Sequence, residues 1–131
     1  MIARVTKDAQ KAKSLRSMAM VTLERLKETD REKYPSNTLV DYYDILHKLM
    51  DAIAALDGVK AKGEGAHQEL IDYVSKAKGL DEQTRLFLQQ MRDYRNRIAY
   101  EGFAISKNYI VTNKERIESL IRDFSRKADE M

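Results

Sequence analysis

Along most of this chain, apolar residues recur at spacings of three and four, the repeat of a helix with one buried face. Ala12, Leu15, Ala19, Thr22 and Leu26 form the first such series, and Met18 and Val21 widen it. It predicts a helix from Thr6 to Lys33, capped by Thr6 or Asp8. Tyr34-Pro35 is its expected stop, because a residue before proline is pushed out of the helical region. The second series is Leu39, Tyr42, Leu46, Leu49, Ile53 and Leu56, with spacings of 3, 4, 3, 4 and 3. A seam of that kind must face another helix. Ser36 or Asn37 is the expected cap and Gly58 the expected stop.

The segment from Gly58 to Gly65 holds three of the five glycines and is expected to be the most flexible in the chain. A shorter helix is predicted over Ala66 to Lys78, with His67, Leu70, Ile71, Val74 and Ala77 on one side and Gly79 after it. Asp81 should cap a fourth helix that carries Phe87, Met91, Tyr94 and Ile98 inward and closes at Gly102. Phe103 to Tyr109 reads as a connector. Thr112 or Asn113 is the expected cap of a last helix burying Ile117, Leu120, Ile121, Phe124 and Ala128. No alternation of strand period reaches a useful length. The pattern therefore predicts an all-α fold, an antiparallel four- to five-helix bundle, with residues 1–131 as one domain.

Composition agrees with the helices and narrows the chemistry. One proline and five glycines leave few breaks, and hydrophobic residues at 43% with charged residues at 34% suit a globular chain. The absence of cysteine excludes disulfides, thiolate metal sites and a cysteine nucleophile. No apolar run reaches the ~20 residues that cross a bilayer, and Met1 to Lys13 lack a signal-peptide core, so a cytoplasmic protein is expected. Net charge is +3, which permits contact with nucleic acid without demanding it.

Candidate chemistry concentrates in Arg92-Asp93-Tyr94-Arg95-Asn96-Arg97-Ile98-Ala99-Tyr100-Glu101-Gly102. At about 100° per residue, Arg92, Asn96 and Tyr100 stack on one strip of the fourth helix. Arg95 lies about 140° from Tyr100 around the same helix, too far for ready contact within one straight segment. A purely structural reading is also available: arginines near a helix C-terminus meet its free carbonyls, Asn96 bonds a neighbouring loop, and Tyr100 packs half-buried with a wet hydroxyl. In that reading the chain is a helical scaffold.

Two histidines add smaller signals. His47 sits between Asp44 and Asp51 at helical spacing, which reads best as a boundary histidine paired with an aspartate. Its helix lacks the second histidine and the Glu-x-x-His pattern of di-iron bundles, so no metal or other cofactor is expected. His67 follows a glycine-rich lead into a helix, but the segment lacks a nucleotide-loop pattern, and Glu64 and Glu69 oppose an anion.

The order Arg95-Asn96-x-x-x-Tyr100 resembles the Arg-x4-His signature of the HEPN superfamily, small helical bundles in which asparagine often follows the arginine. Tyr100 stands in the place of that histidine, and Gly102 stands where some members carry a tyrosine. The resemblance implies a homodimer in which two motifs meet across a shared cleft. The expected role is binding of RNA, a nucleotide or a protein partner through a cleft around Arg92, Arg95, Asn96 and Tyr100, with Arg97 and His67 as further binding residues, and the resemblance implies pairing with a nucleotidyltransferase in toxin–antitoxin systems. If catalysis is retained, the implied activity is that of a metal-independent endoribonuclease, with Arg95 steadying phosphate charge and Tyr100 or His67 replacing the histidine. A tyrosine ionises only near pH ~10 and is a poor base at neutrality, so a catalytically degenerate binding protein is the leading expectation. His67 can serve this site only if the glycine-rich loop folds over the end of the fourth helix.

Overall fold

The computed structural model describes residues 1–129. Its order is β1 (Ile2–Arg4), α1 (Ala9–Lys27), α2 (Pro35–Asp57), β2 (Val59–Ala61), α3 (Ala66–Ala77), α4 (Glu82–Glu101) and α5 (Lys107–Lys127). Twelve of the 23 residues of α2 are buried, more than one face can account for. The helix is accordingly the axis of the molecule and packs against α1, α3, α4 and α5. Tyr42, Tyr43, Leu46, Leu49 and Ile53 form the centre of the core with Leu70, Met91, Ile117 and Phe124. No helix among the described residues is long and apolar enough to cross a membrane.

α1 is shorter than its apolar repeat suggests. Asp8 caps it by accepting from the Lys11 amide at 2.9 Å, and the helix stops after Lys27. Local polar side chains explain the stop, because short hydroxyl and carboxylate groups compete with the helical backbone. Thr29 Oγ1 donates to Leu26 O at 2.8 Å, and Asp30 Oδ1 accepts from the amides of Glu32 and Lys33. Pro35 then begins α2 instead of ending α1, since its missing N–H costs nothing in a first turn. Met18 and Val21, expected inward, are 54% and 66% exposed.

α5 also departs from expectation, starting at Lys107 instead of near Thr112. Ser106 is the cap, accepting from the Tyr109 amide at 3.3 Å. Asn113 lies inside the helix and donates its Nδ2 to Tyr109 O at 2.9 Å. Gly58 and Gly102 stop α2 and α4 as expected, both at positive φ. At Gly58 a Cβ would also lie 3.0 Å from Val5 O, so the position admits only glycine without distortion.

The segment expected to be most flexible contains a strand. β2 pairs antiparallel with β1, with Ala3 opposite Lys60. This short ribbon sets the topology. Contacts between Asp8 and Ala55, Asp72 and Arg85, and Arg116 and Gln83 make α1/α2, α3/α4 and α4/α5 antiparallel pairs. α3 breaks the alternation: His67 meets His47, while Tyr73 and Lys78 reach Asp57. β2 thus carries the chain back along α2, and α3 runs parallel to it. That return brings the start of α3 beside the middle of α2 and the second half of α4.

Candidate functional site

α4 presents its arginines in different directions, as helical spacing requires. Arg92, Asn96 and Tyr100 lie along one groove of about 310 Å³. Across that groove lie Gly63, Gly65 and His67, from the loop before α3 and its first turn. The glycine-rich segment therefore does fold over the end of α4. Tyr100 is 81% exposed, which overturns its alternative reading as a half-buried packing residue.

The two walls are tied to one another. Arg92 Nε donates to Gln89 Oε1 at 2.9 Å. Gln89 Nε2 in turn donates to Gln68 O at 3.0 Å and to Asp72 Oδ1 at 3.1 Å, both on α3. Arg92 is thereby aimed through its Nε, while the terminal nitrogens of its guanidinium make no hydrogen bond among the described residues. Such a planar fork suits the oxygens of a phosphate or carboxylate.

Arg95 and Arg97 do not line this groove. Arg95 Nε reaches Asp44 Oδ1 at 3.3 Å on α2. The Arg97 guanidinium lies 4.1 Å from the centroid of the Phe103 ring. Phe103 stacks on Tyr94 at 5.5 Å, and Tyr94 meets Tyr109 edge-on at 5.6 Å. These rings fasten the end of α4 to the chain that follows. Tyr109 belongs to α5 and not to a connector.

Behind the groove runs a ladder of rings from core to surface. Tyr43 is buried, stacks with His47 at 6.0 Å, and His47 stacks with His67 at 4.0 Å. Burial pushes the Tyr43 phenol well above its usual value, while the nearby Arg92 and Arg95 charges pull it down. His47 Nε2 is 3.5 Å from Asp51 Oδ2, the histidine–aspartate pair anticipated from spacing. No group of three or more metal-ligating side chains forms among the described residues.

His47 gives the first testable expectation. Burial holds its pKa below the usual value, and the adjoining His67 acts in the same direction. Asp51 and Asp44 oppose them. The folded protein therefore favours neutral His47, whereas the unfolded chain takes up the proton near pH ~6.5. This contribution to stability is present above that pH and is lost as pH falls through it. Urea unfolding at pH 7.5 and pH 5.5 should show a drop in stability that His47→Gln reduces. An identical drop in both proteins would refute the assignment.

A second and larger groove, of about 460 Å³, adjoins the first. Ala66 and His67 line both. Its lining includes Ala54, Ala55, Val59 and Leu70, with Asp51 and His47 also facing it. It arises because β2 runs back beside α2, so only the ribbon that the apolar pattern missed could have revealed it. Comparison of the chain with protein-family models, curated proteins and solved structures gives no match.

Proposed function

We propose that this chain is a HEPN-like, catalytically degenerate protein that binds single-stranded RNA through the groove of Arg92, Asn96, Tyr100 and His67. The observation that carries the reading is the convergence on one groove of an aimed guanidinium, an amide, an exposed phenol ring and an imidazole. Each has a use there. Arg92 matches a phosphate, Asn96 can donate to or accept from a base or sugar, and Tyr100 offers a face for base stacking. Arg95 is assigned a supporting part, because Asp44 already holds its charge. Under the same reading two copies associate through the exposed end of α4, with a small nucleotidyltransferase as the protein partner.

The test is a titration of fluorescently labelled single-stranded RNA in EDTA. Binding should weaken as salt rises, and the RNA should remain intact. Salt-independent binding, or none, would remove the reading. Light scattering should give a dimer mass; a monomer at high protein concentration would withdraw the shared cleft while leaving the groove.

One observation favours a second reading: His67 shares the groove with Arg92 and Asn96. In this reading the protein is a metal-independent endoribonuclease with His67 as the proton-transfer group. Cleavage in EDTA that disappears in His67→Ala and persists in Tyr100→Phe would establish it over simple binding.

A further inference from the structure

The larger groove beside β2 has a chemistry of its own. Its floor is apolar, formed by Ala54, Ala55, Val59 and Leu70, of which none is more than 6% exposed. At its side stands the Asp51 carboxylate, with a side chain 37% exposed. Its nearest charged or titratable partner is His47 at 3.5 Å, a group that burial keeps toward neutrality. The other carboxylate of the groove, Asp8, commits its Oδ1 to capping α1 and stands at the start of that helix. Lys11 and Lys60 also line the space. The groove thus combines an apolar floor, an open carboxylate and ammonium groups, so a ligand there meets both signs of charge. Such a groove suits a flat, neutral ring that offers paired N–H donors beside an acceptor.

We infer that this groove is a guanine pocket, which receives the base of a nucleotide whose phosphate lies at Arg92 and Asn96. The inference rests on the proposed RNA reading for its phosphate half only. Guanine fits because N1–H and the exocyclic amine lie side by side, so one carboxylate accepts from both, while O6 faces an ammonium group. Adenine and cytosine place an unprotonated ring nitrogen beside their amine, and that nitrogen would meet the carboxylate lone pairs. Uracil flanks its single N–H with two carbonyls. The step from one groove to the other crosses His67, whose inner face is already stacked on His47. Its residue is exposed, so its outer face is open to a base or ribose.

The experiment uses two separate probes on the intact, isotope-labelled protein: guanosine without phosphate, and ribose 5-phosphate without a base. Guanosine should shift the amide resonances of Ala54, Val59 and Leu70. Adenosine and uridine should do so about tenfold more weakly, the size of one good bidentate base contact. Asp51→Asn should weaken guanosine binding by a similar factor and leave the circular dichroism spectrum unchanged. Ribose 5-phosphate should shift Arg92 and Asn96 instead. If guanosine leaves the β2 groove unperturbed, or if all nucleosides act alike, the pocket assignment is overturned whatever ribose 5-phosphate does. If guanosine binds and ribose 5-phosphate does not, the base pocket stands and the phosphate reading falls.

Discussion

Phe124→Ala should destabilise the protein by about 3–5 kcal/mol, the cost of removing a large ring from a closed core. Phe124 lies in the second half of α5, is 0% exposed, and belongs to the main cluster with Tyr42, Leu46 and Ile117. Few neighbours can fill the space, because α2 is held on several sides at once. Met18→Ala is the matching control. Its side chain is 54% exposed on α1, so the change should stay within about 0.5 kcal/mol. Urea unfolding of both variants measures the difference. Equal effects would mean that α5 does not close the core as described.

The second large effect concerns binding. Arg92→Ala should lower affinity for single-stranded RNA by about tenfold or more, since a hydrogen bond to a charged group contributes roughly 1.5–3 kcal/mol. The slope of log affinity against log salt should shrink by about 0.7, the share of one phosphate contact on a single strand. Asn96→Ala should add a further loss without changing that slope, because the amide carries no charge. Arg95→Ala should act more weakly on binding than Arg92→Ala, because Asp44 already neutralises Arg95. The comparison of the two arginines is informative in both directions. A larger loss at Arg95 would place the nucleic acid against α2 and not across the α3 wall.

Much of the architecture is legible in the apolar repeat, because burial dominates where helices pack. The seam from Leu39 to Ile53 is buried throughout. The caps at Asp8 and Asp81 and the stops at Gly58 and Gly102 also follow from local chemistry. Helix ends depart from the apolar repeat where short-range polar bonds outweigh periodicity. Thr29 and Asp30 end α1 early, and Ser106 starts α5 early. Three-residue strands leave no alternation to read, and the pairing of β1 with β2 joins segments far apart in sequence. Because that ribbon sets the direction of α3, the parallel course of α2 and α3 was hidden with it.

The site divides in the same way. The strip Arg92, Asn96 and Tyr100 lies on one groove because all three belong to one helix, where spacing decides direction. The separation of Arg95 from Tyr100 has the same origin. The approach of His67 depends on how the glycine-rich loop returns, which no local rule fixes. Its stacking on His47, 20 residues earlier in the chain, is a consequence of the ribbon. The second groove follows from that geometry too.

The most direct measurement is chemical-shift mapping of a short single-stranded RNA on the isotope-labelled protein. The largest changes should fall at Ala66, His67, Arg92, Asn96 and Tyr100, with little at the outer face of α1 around Met18 and Val21. Shifts confined to other surfaces, or an unchanged spectrum at saturating RNA and low salt, would contradict it.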